Sequence, residues 1–280
     1  MIPVFAPTLF MPTAAGAGYT GPGDVVAGAT SWWGLRGYNA AKATPGTTKS
    51  VNLRRDSDNA TQDFVILANG SLDVASITTF KGAANLFVAT LYDQAGTNNL
   101  TQATAANQTQ LILSGLGSLP VLRSPVGSPG WVFGGAIVGA VAQPFSLSLA
   151  AKRTGNFTAW STFFGIAGSS DIEIGYSTTA NQGYVYGGAQ ISVAAADNAF
   201  HALNAVISGA SSTLYIDGVT STGTLAGTMA SNWQAVVMAW SISGQQPGAG
   251  DCVEAGWWPV AFNATQAGNL NSNQHSYWGF

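Results

Sequence analysis

The chain has 280 residues, of which 8% are charged and 46% are hydrophobic, and its formal net charge at pH 7 is −3. A chain of this length suits one large β domain or two smaller ones, and its apolar fraction is sufficient for a sizeable core. The weakly acidic balance argues against nucleic acid, which rewards a basic stripe, and no run of 18 apolar residues is present to span a membrane.

The first 23 residues predict an extended N-terminal arm. Four prolines exclude a long helix there, and several apolar residues surround them. Because a free apolar tail would be a liability, we expect the arm to lie along this domain or along a neighbouring copy. It has no basic segment before its apolar residues, so we do not expect it to be a signal peptide. The low charge of the whole chain suits a protein that is packed against copies of itself.

From residue 24 onward the patterns are those of a β protein. Alternating or buried apolar runs predict strands at Ser31–Arg36, Ser50–Arg55, Gln62–Leu67 and Asn85–Tyr92, and the best short helix is Leu72–Phe80. Beyond Phe145 short strands follow one another at the spacing of a β-sandwich, and Asp217-Gly218 is a hairpin signal. Residues 264–277 predict a last helical turn or a loop. We therefore predict an arm over 1–23 and a single β-sandwich domain over 24–280.

The segment from Arg54 to Ala103 carries a resemblance to a known family. Its residues Arg54-Arg55-x-Ser57-Asp58-Asn59-x-Thr61-x-Asp63, Tyr92-Asp93-Gln94-x-Gly96 and Leu100-Thr101-Gln102-Ala103 resemble the catalytic domain of B-type α-L-arabinofuranosidases. That resemblance implies an all-β, concanavalin A-like (LamG or jelly-roll) sandwich and, for an active enzyme, a retaining glycoside hydrolase. Similar modules occur in bacteriophage tail and fibre proteins, where the segment continues as Gln102-Ala103-Thr104 does here.

The family enzymes rely on disulfides, whereas this chain has a single cysteine, Cys252, which we expect to be a buried apolar residue. The resemblance together with the low charge therefore favours a virion structural protein, in a tail, fibre or head decoration, assembled in the bacterial host cytoplasm. Its expected partners are other virion subunits or copies of itself, bound through the arm, and a host glycan. The alternatives are an arabinofuranosidase-like hydrolase and a free carbohydrate-binding lectin module.

A retaining glycosidase needs two carboxyls about 5–5.5 Å apart. The candidates are Asp171, Glu173, Asp251 and Glu254. Asp171 and Glu173 lie two residues apart on a predicted strand and so share one face, whereas the three-residue spacing of Asp251 and Glu254 puts them on opposite faces. A pair of Glu173 with Glu254 across strands is a further alternative.

Three other sets of residues are candidates for structural or binding roles. Asp56, Asp58 and Asp63 form an acidic loop that resembles part of a calcium site, so Ca²⁺ is the one cofactor that we weigh, against none. The structural alternative is an ionic cluster of Arg54, Arg55, Asp58 and Asp93. For carbohydrate binding, the candidates are the indole rings of Trp33, Trp257 and Trp258, since exposed aromatic rings stack on sugars.

Overall fold

The computed structural model of the protein describes residues 18–124, 130–135, 140–155, 157–167, 172–229, 233–239 and 245–280. These residues contain three α-helices, α1 (Pro22–Val25), α2 (Val74–Lys81) and α3 (Ala264–Trp278). The first nine strands are β1 (Ser31–Gly34), β2 (Lys49–Arg55), β3 (Thr61–Val65), β4 (Leu86–Leu91), β5 (Leu100–Thr101), β6 (Gln110–Leu116), β7 (Leu119–Ser124), β8 (Val132–Gly134) and β9 (Phe145–Arg153). The others are β10 (Ser161–Ala167), β11 (Ile172–Tyr176), β12 (Gln182–Gly187), β13 (Gln190–Ala194), β14 (His201–Ile207), β15 (Gly209–Ile216), β16 (Val219–Leu225), β17 (Gln234–Val237) and β18 (Gly250–Trp258).

The strands pair antiparallel and form two layers. The first layer has the order β3-β2-β4-β5-β8-β17-β10-β11-β12-β13. The second layer has the order β1-β18-β9-β14-β15-β16. The hairpin of β6 and β7 joins them, since β6 pairs with β4 and β7 pairs with β18. The predicted all-β sandwich is thus confirmed, with an almost closed antiparallel sheet.

The main core lies between the two layers, where alternate residues of each strand point inward. In the first layer it includes Ile172, Ile174 and Phe164, and in the second layer it includes Leu147 and Trp257. A smaller cluster covers the outside of the second layer, below α3, with Trp32, Trp258 and Leu270 among its members. Because both clusters use the second layer, its central strands β9, β14 and β18 are buried almost throughout.

The motif Tyr92-Asp93-Gln94-x-Gly96 stabilises the backbone. Asp93 accepts hydrogen bonds from the N–H groups of Trp32, Ala95, Gly96 and Asn98, all at 2.9–3.0 Å. The buried Gln94 amide accepts from the Tyr38 N–H and donates to the carbonyls of Gly34 and Arg36. The motif therefore attaches the loop after β4 to strand β1, in which Trp32 lies 61 positions before Asp93.

Changing Asp93 to Asn tests this role of the motif. The new amide nitrogen would face the N–H of Asn98, which now donates to Oδ2 of Asp93 at 3.0 Å. Because a donor then meets a donor, we expect the free energy of unfolding to fall by about 1–3 kcal/mol. Urea unfolding measures this change, and exposed Thr97→Ala in the same loop is the control. An unchanged midpoint in the Asp93 variant would contradict the role.

The 15-residue helix α3 corrects the prediction of a last turn or loop. It begins with a capping box, in which Asn263 and Gln266 exchange hydrogen bonds of 2.9 Å, and ends at Gly279 with φ 75°. Its buried residue Gln274 bonds Ser148 and Asn204 on the second layer. The sequence conceals this helix because two of its five buried residues, Asn271 and Gln274, are polar.

Several other expectations can be compared with the fold. The predicted short helix is present as α2, and Asp217 and Gly218 form the hairpin turn with φ 49° and 84°. Cys252 is buried, as predicted. No helix in the described ranges is long and apolar enough to cross a membrane. Most of the predicted arm, residues 1–17, lies outside the described residues, so the arm stays a prediction.

Candidate functional site

One row of residues crosses the outer face of the first layer. Directly paired residues of neighbouring antiparallel strands share a face, so the strand registers define the row. At Glu173 the row faces away from the core, because Ile172 and Ile174, which flank Glu173 on β11, point inward, whereas Val236 belongs to the buried main core. The members of this outer row are Asp63, Asn52, Thr90, Thr101, Phe133, Val236, Gly165, Glu173, Tyr186 and Gln190.

Glu173 is the buried carboxylate of the outer row, and its exposed fraction is 6%. Its Oε2 atom accepts a hydrogen bond from the Thr162 hydroxyl at 2.6 Å and one from the Tyr184 hydroxyl at 2.7 Å. The two hydroxyl oxygens are themselves 2.8 Å apart. Donors that converge on one carboxylate oxygen stabilise negative charge there and fix the orientation of the side chain.

Local irregularities of the sheet make this arrangement feasible. A bulge at Phe163 on β10 lets Thr162 pair with Gly175 while Phe164 pairs with Ile174. Thr162 thereby faces the same side as Glu173, and Phe163 and Phe164 both enter the core. A Cβ atom at Gly175 would lie 2.3 Å from the Ser161 carbonyl oxygen, so the close approach of β10 requires glycine at this position.

Aromatic side chains surround the carboxylate. The ring centroids of half-buried Trp160 and of Tyr184 are 4.7 Å apart. Half-buried Tyr186 pairs directly with Glu173 in the outer row. Burial and the charge of Glu173 raise the pKa of the Tyr184 phenol well above its usual range, so this hydroxyl keeps its proton. A fixed carboxylate beside partly exposed aromatic rings is a composition that suits a sugar.

Two of the other three candidate carboxyls, Asp251 and Glu254, lie apart from Glu173. Asp171 lies outside the described residues. Asp251 pairs with Arg123 at 2.6 Å and Lys152 at 2.9 Å. Glu254 pairs with Arg36 at 2.6 Å beneath α3, on the outside of the second layer. The alternative of a Glu173–Glu254 pair is therefore wrong, since the two carboxylates occupy outer faces of different layers.

The spacing argument for Asp251 and Glu254 also needs correction. The register of β18 against β9 shifts at Val253, so that Asp251 pairs with Lys152 and Glu254 with Ala150. Both carboxylates thus point to the outside of the second layer, although three residues separate them. In a regular strand, a spacing of three residues would put the two side chains on opposite faces. The extra residue at the bulge puts Glu254 on the same face as Asp251.

The three candidate tryptophans do not form an exposed surface. Trp33, Trp257 and Trp258 are 0, 3 and 0% exposed. Trp33 packs edge-on against Phe164 in the main core, and Trp257 packs against Trp233. Trp257 and Trp258 point in opposite directions, as adjacent residues of a strand must. Trp257 enters the main core, and Trp258 enters the smaller cluster below α3. We find the partly exposed rings at Trp160 and Tyr186 instead.

The acidic loop has a structural role in the described geometry. Asp58 pairs with Arg55 at 2.6 Å, Asp56 bonds the Asn85 backbone and amide, and Asp63 pairs with Lys49. Within the part of the chain that the structure describes, no three His, Cys, Asp or Glu side chains are grouped to hold a metal. The Ca²⁺ candidates Asp56, Asp58 and Asp63 are thus separately engaged, and calcium binding stays untested.

The ionic cluster is smaller than predicted. Arg55 and Asp58 form it, with two bonds of 2.6 and 2.9 Å. Arg54 instead bonds the amide oxygens of Gln108 and Asn59. Asp93 accepts backbone N–H groups, as described above, rather than an arginine.

The two histidines of the chain meet at one carboxylate, although 73 positions separate them in the sequence. Asp217 bonds Nδ1 of His201 and Nε2 of His275, the latter at 2.9 Å. The remaining ring nitrogens face the carbonyl oxygens of Ala196 and Phe280. This cluster attaches the C-terminal end of α3 to the β15–β16 turn, beside an open depression of about 460 Å³.

The cluster predicts a pH dependence of stability. Burial lowers the pKa of His201, but hydrogen bonds to Asp217 and Ala196 raise it more, while His201 and the Ala202 N–H hold the pKa of Asp217 low despite burial. The contribution of His201 is present below its unfolded pKa of about 6.5 and is lost as pH rises through its folded value. That of Asp217 is present above about 3.9 and is lost as pH falls.

We therefore expect the free energy of unfolding to decline between weakly acidic and alkaline pH. Changing His201 to Gln should flatten that decline, because glutamine keeps a hydrogen-bonding group but does not titrate. Urea unfolding at a series of pH values measures both slopes. The same slope in the variant and the parent protein would contradict this assignment.

Glu173 was one of four candidate carboxyls in the sequence, whereas the residues that contact it were not candidates. Thr162, Tyr184 and Trp160 have no spacing that marks them, since two come from β10 or the loop before it and one from β12. The sequence signal that could have indicated Tyr184 is its alternation with Tyr186 in the short strand that follows the strand of Glu173. Bringing Thr162 to the same face depends on a bulge, which a regular strand pattern does not reveal.

The comparisons with known proteins support the fold. No family model matches the sequence, and no curated protein matches it. Three similar solved structures are a glutamate-to-glutamine variant of a GH54 α-L-arabinofuranosidase soaked with 4-nitrophenyl α-L-arabinofuranoside, a GH54 α-L-arabinofuranosidase soaked with a cyclic sulfate inhibitor, and an arabinofuranosidase complexed with arabinofuranosyl-α-1,2-xylobiose. Their TM-scores are 0.69, 0.69 and 0.68, and their identities are 17, 15 and 16%.

Each of these alignments covers 91% of this chain and 64% of the other chain. The protein thus spans about two thirds of the length of the enzymes that it resembles. At such low identity the likeness establishes the architecture alone. The chain therefore has the β-sandwich fold of the GH54 arabinofuranosidases.

Proposed function

We propose that the protein is a glycoside hydrolase of the arabinofuranosidase type, with Glu173 as its nucleophilic carboxylate. The observation that carries the proposal is the Glu173 side chain itself. It is a buried carboxylate on the outer row, held by the hydroxyls of Thr162 and Tyr184, next to partly exposed aromatic rings.

The hydrogen bonds favour a nucleophile over a proton donor. Both hydroxyls donate to Oε2, so they stabilise the ionised carboxylate that attacks the anomeric carbon in a retaining mechanism. They also hold the carboxylate in one orientation, so less conformational entropy is lost when it reaches the reactive geometry. Departure of the leaving group requires a second carboxyl as general acid. Asp171, two residues before Glu173, is the sequence candidate for that role.

The substrate class is suggested by the similar enzymes. One of them was soaked with 4-nitrophenyl α-L-arabinofuranoside, and another is complexed with arabinofuranosyl-α-1,2-xylobiose. The outer row of this chain offers neutral hydroxyl and amide groups such as Thr90, Thr101 and Asn52, which suit an uncharged sugar. We therefore propose a neutral α-L-arabinofuranoside as the substrate class.

The experiment is a panel of 4-nitrophenyl glycosides, with release of nitrophenol as the readout. We expect turnover of the α-L-arabinofuranoside and none of the corresponding arabinopyranoside or glucopyranoside, and NMR of the first product should show retained anomeric configuration. Turnover of the arabinofuranoside with inversion would overturn the role of Glu173. No turnover of any member would overturn the hydrolase proposal.

A carbohydrate-binding protein without hydrolysis is the second candidate, and the polar and aromatic composition of the outer row favours it. Binding of arabinofuranosyl oligosaccharides in calorimetry without turnover would identify this case.

A virion subunit that assembles in a bacterial cytoplasm through an N-terminal arm remains a separate prediction from the sequence. If that prediction is right, bacteriophage particles purified by density-gradient centrifugation contain the protein.

A further inference from the structure

Strand β16 lies at the edge of the second layer. Among the strands of the described ranges, β15 alone pairs with it, through a two-residue turn at Asp217 and Gly218. Both turn residues have positive φ, which is the type I′ geometry of a tight hairpin. On its inner face the strand is covered, since the Ile191 side chain of β13 lies 3.0 Å from the place of a Cβ at Gly223.

The turn determines which backbone groups of β16 are available. In a two-residue hairpin the residues that flank the turn, Ile216 and Val219, exchange hydrogen bonds, and bonded and non-bonded pairs then alternate as far as Ser212 and Gly223, where the register shifts. The backbone N–H and C=O groups of Thr220, Thr222 and Thr224 therefore point away from β15. All three threonines are exposed.

Proteins prevent edge-to-edge pairing with charged side chains, proline, bulges and very short strands. Strand β16 has neither of the first two and is seven residues long, and the register shift in its pairing with β15 lies on β15, between Gly209 and Ser212. The seven residues of β16 are Val-Thr-Ser-Thr-Gly-Thr-Leu, without a charge or a proline. The edge strand of the first layer, β3, differs, since it carries Asp63 paired with Lys49. An uncharged, exposed edge of this length is a template for another strand.

We propose that β16 pairs antiparallel with β16 of a second copy of this chain, about a two-fold axis at Thr222. The strand is self-complementary in that register, because Thr222 faces itself and Thr220 faces Thr224 of the partner chain. All available backbone groups then find partners, and threonine pairs across antiparallel strands are favourable. A C₂ dimer arises because the same patch serves both copies.

Multi-angle light scattering over a range of protein concentrations tests the dimer. We expect the mass to rise from one chain to two with concentration, and T222K to remain at one chain because two like charges would face each other. The matched control is T61K, on the exposed part of the other edge strand β3. A monomer at all concentrations overturns the proposal, and so does a dimer that T222K leaves intact.

Crosslinking keeps the test independent of the lysine variant. The chain has one cysteine, which is buried, so T222C would introduce the accessible thiol. Facing Cα atoms in a hydrogen-bonded antiparallel pair lie about 5.5 Å apart, within reach of a short thiol crosslinker. We expect a covalent dimer from T222C and none from T61C. Equal yields from both variants, or none from T222C, overturn the register.

Discussion

Changing Glu173 to Gln should reduce hydrolysis of 4-nitrophenyl α-L-arabinofuranoside by on the order of 10³-fold or more, since a nucleophile is lost. The amide has nearly the same size as the carboxylate, and its oxygen can still accept from Thr162 and Tyr184. We therefore expect a folded protein with an unchanged urea midpoint and a retained affinity for arabinofuranosyl oligosaccharides.

Two companion variants distinguish loss of the nucleophile from general damage to the outer row. Tyr184→Phe removes one of the two hydroxyl donors to Oε2, so we expect a smaller loss of rate. Gln190→Ala changes an exposed member of the row on β13 and should leave the rate unchanged. Steady-state kinetics and calorimetry measure both quantities. Full activity of the Glu173 variant would remove this residue from the chemistry.

Changing Arg36 to Met should lower the free energy of unfolding by about 3–5 kcal/mol, as is typical when one partner of a buried ion pair is removed. The guanidinium binds Glu254 through Nε at 2.6 Å and Nη2 at 2.9 Å, and both side chains are fully buried. The Trp278 indole also donates to Glu254, at 2.9 Å. Removing the arginine leaves an uncompensated carboxylate beneath α3.

The double variant R36M with E254L serves as the control for this pair. A buried ion pair that is replaced by apolar residues of similar volume often costs little, so we expect the double variant to regain most of the lost stability. Urea unfolding of the parent, the two single variants and the double variant gives the coupling energy of the pair. A double variant as unstable as R36M would indicate that packing around Arg36, not its charge, stabilises the fold.

The fold class followed from the sequence because it depends on local patterns. Short apolar runs with turn residues between them specify strands, and Asp217-Gly218 specifies a hairpin in almost any context. Helix α3 did not follow, because its buried residue Gln274 is polar and finds its partners Ser148 and Asn204 on strands far away in sequence. A propensity argument has no access to such partners.

The site was predictable in part. Glu173 was a candidate because a retaining glycosidase needs two carboxyls and it is one of the carboxylates of the sandwich half. The prediction for Asp251 and Glu254 assumed a regular strand and failed at the Val253 bulge. Trp33, Trp257 and Trp258 were candidates because adjacent tryptophans on a strand must point both ways. The sequence did not indicate that helix α3 would cover the outer face of the second layer, where Trp258 points.

The buried pair of Arg36 and Glu254 also constrains how the chain reaches its fold. The two residues are 218 positions apart, and the Trp278 indole that completes the contact comes still later. During synthesis, Arg36 leaves the ribosome long before Glu254 and Trp278 have been made, so strand β1 cannot reach its native environment until α3 has been synthesised. Contacts between such distant residues slow folding, because a long loop must close before they form. We therefore expect slow folding, completed when the C-terminal helix docks.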